Sequence, residues 1–262
     1  MITSASNPQV KNLVLLGKKA KARKEQGVFL AEGRNMFEEA PEAWIQKVYM
    51  SETYFLEEGG VEPFVGFHYE ILADSVFKAA AGTQTPQGIL TVVRMPQWEF
   101  EDVVSADLFQ GSPGFLLLES IQDPGNLGTI LRTAEGAGIN AVIANRMTVD
   151  LYNPKTVRAT MGSIYRVPFL VAEDFYKVLS QMKEQGIRLY AAHLKGSVPY
   201  DREDYTQASA FLIGNEGNGL TKEAAALADI HIKVPMEGKV ESLNAAVTAA
   251  ILMYEMNRQR RG

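Results

Sequence analysis

The run Phe115-Leu-Leu-Leu118 contains no polar residue. A strand with one wet face alternates apolar and polar side chains, whereas a strand covered on both faces does not. This run therefore predicts a parallel sheet packed between helices. The chain downstream fits that frame. Ala141-Val-Ile-Ala144, Tyr165 to Val171, Arg188-Leu-Tyr-Ala-Ala192, a run ending in Phe211-Leu-Ile213, and Ile230-His-Ile-Lys-Val234 read as further strands. Helices alternate with them. One runs from Thr129 to Ala137 and stops at Gly138; one is capped by Asn153-Pro154 and reaches about Met161; an amphipathic one spans Phe175 to Gln185. The last helix is capped at Ser242, takes Asn244 into its first turn, and shows Leu243, Val247, Ile251, Leu252 and Met256 on one face.

Two glycine loops follow strands in this half. Asp123-Pro-Gly-Asn-Leu-Gly128 precedes the helix at Thr129, and Gly214-Asn-Glu-Gly-Asn-Gly219 precedes Thr221 and the helix-like Ala224-Ala-Ala-Leu227. Glycine permits the sharp reversal that such a loop needs. Strand, glycine loop, helix is the layout in which an α/β protein binds a ligand beyond the carboxyl end of a strand. The second loop holds one carboxylate, Glu216, flanked by Asn215 and Asn218.

The first half reads as a smaller α/β domain. Ser4 to Pro8 is a turn and cap, and Val10, Leu13, Val14 and Leu16 follow at helical spacing. Val28 to Ala31, Ile45 to Met50, Phe64 to Phe67 and Gly88 to Val93 are expected strands. Helices are expected from Arg34 to about Ala40 and from Asp74 to Ala79. Prolines, Gly111 and acids around residues 95–113 place a boundary near residue 105, giving domains 1–105 and 106–262. The net charge of −5 is unevenly spread. Residues 1–26 hold six bases (Lys11, Lys18, Lys19, Lys21, Arg23, Lys24) against Glu25 alone, while residues 27–105 hold four bases against thirteen acids. A basic arm on an acidic body can hold phosphates locally; its plainer reading is a solvated helix face.

Composition narrows the chemistry. With no cysteine, disulfides, thiolate catalysis and cysteine-ligated metal are excluded, and three widely spaced histidines (His68, His193, His231) make a histidine metal site unexpected. No apolar run is long enough for a membrane span, and no hydrophobic segment follows the first lysines, so a cytoplasmic protein without a signal peptide is expected.

Polar residues after three separate strands remain: Asn126 and Arg132, then Glu216, then Ser242 and Asn244. Each has an ordinary reading, Arg132 as a surface partner of Glu135 and Ser242 as a cap. Their joint occurrence brings a resemblance. Leu118-Glu-Ser-Ile-Gln-Asp-Pro-Gly-Asn-Leu-Gly-Thr-Ile-Leu-Arg-Thr-Ala134, Ile213-Gly-Asn-Glu-Gly-Asn-Gly-Leu220, and Ile232 to Met236 through Glu241 to Val247 are similar, in order, to the three motifs of the SpoU (TrmH-type) family of RNA ribose methyltransferases in the SPOUT superfamily. The match spans about residues 115–257. The N-terminal half resembles, less specifically, the domain akin to RNA-binding ribosomal proteins that many relatives carry, on Phe29-Leu-Ala-Glu-Gly-Arg34.

The resemblance implies more than patterning does. Alternating strands and helices predict an unknotted, doubly wound sheet, because knotted chains are very rare. Membership implies instead a deep trefoil knot around a mostly parallel sheet, with the chain from Gly214 onward threaded through an earlier loop. It implies methyl transfer from S-adenosylmethionine to a ribose 2′-hydroxyl of RNA, ribosomal RNA before tRNA. Arg132 would be the catalytic arginine, with Asn126, Glu216, Ser242 and Asn244 around the target nucleotide. An arginine base is awkward chemically, since a guanidinium releases its proton only above about pH 12; binding phosphate or stabilising an alkoxide is the other role. Leu194, Gly196, Gly214, Val234, Met236 and Leu243 would hold the cofactor, largely through backbone groups. Lys18, Lys19, Lys21, Arg23 and Lys24 would meet RNA. A homodimer through the knot and last helix is implied, and no metal. Two other readings remain at this stage: an RNA-binding protein without catalysis, and a base methyltransferase using Glu216.

Overall fold

The structure is a computed structural model that describes residues 1–60, 64–104, 111–194 and 197–261. In chain order its elements are α1 (Pro8–Lys18), α2 (Ala20–Gln26), β1 (Val28–Glu32), α3 (Arg34–Glu38), β2 (Ile45–Ser51), α4 (Glu52–Glu57), β3 (Tyr69–Leu72), α5 (Asp74–Ala81), β4 (Ile89–Arg94), α6 (Phe100–Val104) and β5 (Gly114–Leu118). They continue with α7 (Pro124–Ala137), β6 (Ala141–Asn145), α8 (Pro154–Thr160), β7 (Phe169–Ala172), α9 (Phe175–Glu184), β8 (Arg188–Ala192), β9 (Val198–Pro199), β10 (Ser209–Ile213), α10 (Lys222–Leu227), β11 (Ile230–Lys233) and α11 (Ala245–Arg261). The chain divides into two compact units, Met1–Pro96 with Asp150–Tyr165, and Gln97–Val149 with Arg166–Gly262. Residue 105, where the boundary was expected, lies outside the described residues, while the described residues 97–104 group with the second unit and Asp150–Tyr165 with the first.

The first unit is built on a four-stranded sheet in the order β1-β4-β2-β3, antiparallel except between β2 and β3. Val10, Leu13 and Leu16 of α1 and Val76 and Phe77 of α5 are buried in one core cluster, and Val48, Met50, Phe64 and Ile89 form another. The expected strand at Phe64–Phe67 is a helical turn followed by a bend, because Gly66 takes φ +94 and ends any extended run there. The third strand lies just beyond, at Tyr69–Leu72. Asp150–Tyr165 belongs to this unit through specific contacts: Tyr152 lies 5.0 Å, centroid to centroid, from Phe29, Arg158 pairs with buried Glu32 at 3.0 Å, and the Tyr165 hydroxyl donates to the Met36 carbonyl at 2.8 Å.

In the second unit seven strands run in the order β7-β6-β5-β10-β8-β11-β9, and every neighbouring pair is parallel. All five residues of β5 and of β10 are buried, as runs covered on both faces should be. The chain leaving β8 passes through β9 and then returns, as β10, to the slot between β5 and β8. The carboxyl ends of β5, β10, β8 and β11 therefore stand side by side along one edge of the sheet.

Candidate active site

The helix after β5 begins five residues earlier than its glycines suggested. Asp123 is its N-cap, accepting from the Asn126 N–H at 2.9 Å, and Pro124 occupies the first helical position, where its fixed φ suits the turn and no N–H is missed. Asn126 thus sits in the first turn of α7 and not in a loop. Arg132 lies six residues on, roughly 9 Å along the axis and about 120° around it. The helix N-terminus is already filled by the protein's own carboxylates. Glu216 accepts from the backbone N–H of Gln122 (3.0 Å) and of Asp123 (3.1 Å).

Glu216 reaches α7 from the glycine loop after β10. That loop closes on itself through Asn215 and Gly219, which exchange backbone hydrogen bonds of 3.1 and 2.9 Å. The Asn215 side chain fixes its shape, accepting from the N–H of Gly217 and Asn218 at 3.0 Å each and donating to the Ser120 carbonyl at 2.8 Å. A carboxylate can only accept. Asn126 therefore turns its Nδ2 toward Glu216 Oε1, at 3.0 Å, and leaves Oδ1 facing Asn244 Nδ2, at 2.9 Å. Asn244 Oδ1 in turn accepts from the N–H of Ala246 and Val247, at 2.8 and 3.3 Å, and so caps α11. One carboxylate sets the orientation of two amides and the start of a helix. Burial works to raise the Glu216 pKa, but the bonds from Asn126, Gln122, Asp123 and its own backbone outweigh it and hold the carboxyl below its ordinary range.

The structure joins Asn126, Glu216 and Asn244, and leaves two expected residues outside that chain of bonds. Arg132 is exposed and takes no side-chain hydrogen bond or ion pair among the described residues; Glu135, its expected ordinary partner, is held by Arg166. Ser242 is exposed and makes no hydrogen bond among the described residues; the cap assigned to it belongs to Asn244. Sequence reading missed the backbone amides of Gln122 and Asp123 as donors, because a backbone group carries no residue-type signal. Asn215 could have been found as an Asx-type turn former, two residues ahead of glycine.

Of the residues expected to hold the cofactor, Gly214 follows β10 directly, Leu194 follows β8 by two residues, and Val234 and Met236 follow β11. Since β10, β8 and β11 are neighbours, these positions meet at one sheet edge. Val234, Met236 and Leu243 are half-buried, Leu194 is exposed, and Gly196 lies outside the described residues. Residues 235–243 take part in no backbone–backbone hydrogen bond among the described residues, so their carbonyls, and their N–H groups apart from Pro235, have no main-chain partner there. Neutral, apolar side chains beside free backbone groups fit an adenine-bearing cofactor read through the main chain. Among the described residues no group of three or more acids or histidines could hold a metal ion, and no helix is long and apolar enough to cross a membrane.

In the basic arm Lys18, Lys19, Lys21 and Lys24 are exposed, with Lys21 3.7 Å from Glu25. The arm is two helices, α1 and α2, broken at Lys19, whose backbone is extended. Arg23 corrects the expectation that it meets RNA. Only 3% exposed, it donates to the Leu16 carbonyl at 2.6 Å and pairs with Asp150 at 2.5 Å, so its charge is already used inside the first unit.

Residues 113–254 match the model of the SpoU rRNA methylase family, and residues 7–91 match an MRM3-like substrate-binding domain. The chain is 34% identical over 256 residues to a Bacillus subtilis protein named 23S rRNA (guanosine(2553)-2′-O)-methyltransferase RlmP, covering 97% of this chain and 98% of that one. Among solved structures it is similar to an AdoMet-bound rRNA methyltransferase from Sinorhizobium meliloti (TM-score 0.85, 30% identity, 98% and 97% of the two chains). It is also similar to the SpoU methyltransferase AviRb from Streptomyces viridochromogenes in complex with AdoMet (TM-score 0.87, 25% identity, 98% and 99%). Matched over more than half its length, and aligned end to end with such relatives, this chain belongs to the SpoU rRNA methylase family.

Proposed function

We propose that the chain methylates a ribose 2′-hydroxyl of ribosomal RNA, with S-adenosylmethionine as the donor, at the edge where Asn126, Glu216 and Asn244 meet. The observation that carries this reading is the bonded series Glu216–Asn126–Asn244, with Arg132, six residues beyond Asn126 on α7, exposed and without a partner among the described residues. S-adenosylmethionine, when bound, supplies the methyl group on a positively charged sulfur. The chain's own residues must orient the ribose and stabilise the charge that develops on its oxygen. Asn126 has one amide N–H and one oxygen lone pair left over after its two bonds, enough to hold a ribose hydroxyl. Arg132, a fork of donors with no acceptor capacity, serves as phosphate ligand and alkoxide stabiliser, and the 2′-hydroxyl proton is released to solvent. Ser242 supplies a further hydroxyl at the rim.

The base-methylating alternative needs Glu216 to take a proton from a ring nitrogen. A carboxylate already accepting from Asn126 and two backbone amides, and held acidic by them, is a poor base. The open backbone between β11 and α11, with Gly214, Leu194, Val234, Met236 and Leu243, is the proposed cofactor cradle. The first unit, with Lys18, Lys19, Lys21 and Lys24, is proposed to hold the RNA, and a cytoplasmic location follows from that substrate. A trefoil knot belongs to the same reading, supported by the entry of β10 between β5 and β8.

The test is methyl transfer from radiolabelled cofactor to unmodified ribosomal RNA. A linkage that resists alkali afterwards identifies the 2′-O-methyl product. Arg132→Ala should lower kcat by on the order of 100-fold or more, the scale of a lost transition-state donor, with cofactor affinity within a few-fold. Reversing Lys18, Lys19 and Lys21 to Glu should raise KM for RNA instead and flatten its salt dependence. Full turnover by Arg132→Ala would refute the assignment.

A further inference from the structure

Glu119, the first residue after β5, is an acid only 2% exposed, and no base pairs with it among the described residues. A buried carboxylate needs donors for its lone pairs. Three are present, and they come from two residues. Thr221 gives its backbone N–H to Oε2 at 2.8 Å and its hydroxyl to Oε1 at 2.9 Å, and Tyr176 gives its hydroxyl to Oε1 at 3.1 Å. The same Thr221 oxygen accepts from the Ala224 N–H at 3.0 Å, as the N-cap of α10. Every polar atom of Thr221 on this side is therefore committed.

The next residue acts on the other end of the same loop. Ser120 has φ +61, left-handed backbone that a residue with a side chain adopts only under constraint. In that conformation its carbonyl accepts from Asn215 Nδ2 at 2.8 Å, and its N–H donates to Asn145 Oδ1 at 2.9 Å. The glycine loop that carries Glu216 is thus held at Asn215 and at Thr221, on either side of the carboxylate, by two consecutive residues of the β5–α7 connection. That connection leads directly into α7, whose first turn carries Asn126.

We propose that Glu119 is a positioning residue for methyl transfer: by holding Thr221 it sets where Glu216 stands, and Glu216 in turn orients Asn126 toward the ribose. This rests on the reading of Glu216, Asn126 and Asn244 as the reaction site. Glu119 touches none of the reacting groups, and its effect is expected in kcat. A shift of a loop by about 1 Å costs on the order of 100-fold in rate.

Turnover should be measured for the full chain with ribosomal RNA and S-adenosylmethionine, alongside thermal midpoints. Glu119→Leu keeps the bulk and removes both acceptors, and kcat should fall on the order of 30- to 100-fold with KM for RNA within about threefold. Glu119→Gln keeps an acceptor for the Thr221 N–H, and the two hydroxyls can rotate to accept from its amide, so it should recover to within about fivefold of wild type. Should Glu119→Leu fail to fold, Thr221→Ala against Thr221→Ser decides. Serine retains both bonds and should turn over like wild type, and alanine should lose about tenfold or more in kcat. The inference is overturned by a folded Glu119→Leu within threefold of wild-type kcat, by a loss confined to KM, or by equal turnover of the two Thr221 variants. An inactive wild type, or an Asn126→Ala variant with full activity, would instead remove the site reading itself, and the inference would fall with it.

Discussion

At the scale of single residues, the site is ordered by one group that can only accept. Because Glu216 is ionised, Asn126 must face it with nitrogen, Asn244 must face Asn126 with nitrogen, and the Asn244 oxygen is left to cap α11. Glu216→Gln can keep an oxygen for Asp123 and Asn126, but it then turns its amide N–H toward the Gln122 N–H and leaves that donor without its 3.0 Å acceptor. Its cost depends on pH in a defined sense. The carboxyl is held below the ordinary glutamate value of 4.5, so its stabilising bonds are fully present above that value and are lost as pH falls through the depressed one. Urea unfolding of wild type and Glu216→Gln should therefore differ most at neutral pH and converge in acid. A difference that grows on acidification would contradict this account. Residue type announced Asn126, Glu216 and Asn244 as a group. It could not announce that Arg23 would be buried, because the partner that takes its charge, Asp150, lies 127 residues away.

At the scale of elements, local signals competed and the wrong one sometimes weighed more. Gly125 and Gly128 suggested a loop where α7 already runs, although Asp123-Pro124 is a helix start in its own right. In α11 the expected apolar face held in part: Leu252 and Met256 are buried, but Val247 is 46% exposed, and Met253, outside the expected stripe, is fully buried with Ala249. Alanines made the difference, since small residues let a helix approach the sheet closely and are silent in a pattern weighted by large side chains. The glycine loop carries the sharpest element-scale prediction. A Cβ at Gly214 would lie 2.2 Å from Gly219 C and Leu220 N, backbone that cannot yield without opening the Asn215–Gly219 pairing. Gly214→Ala should cost about 1–3 kcal/mol, the range for overpacking, and weaken cofactor binding. At Gly217 the nearest atom would be 3.5 Å away, so Gly217→Ala should leave both nearly unchanged. Calorimetric binding and thermal melts of the two variants check this, and equal behaviour would refute it.

At the scale of the molecule, α11 leaves apolar surface outside the second unit's core. Val247, Ile251 and Tyr254 follow one another at helical spacing; Val247 and Tyr254 are 46% and 48% exposed, and Ile251 is half-buried. A stripe of this kind on a helix already packed on its other side favours an interface. We propose a homodimer through α11, with the partner's copy close to the adjacent substrate site. Light scattering at micromolar concentration should give twice the 28.9 kDa chain mass, and Val247→Glu with Tyr254→Glu should shift it to monomer. A wild-type monomer with full activity would refute the interface.

The sequence by itself determined the class of sheet, the alternation of strands and helices, and the membership of three motifs in one family, because burial period, caps and glycine turns act over a few residues. Only the tertiary structure decided that β10 enters between β5 and β8, that Asp150–Tyr165 packs with the first unit, and which carboxylate meets which amide. Asn126 meets Glu216 across 90 residues and Asn244 across 118, with Glu119 and Thr221 joined across 102. No local period specifies such pairings. They follow from the burial of whole faces, which brings the carboxyl ends of β5 and β10 together and leaves their loops to satisfy one another's hydrogen bonds.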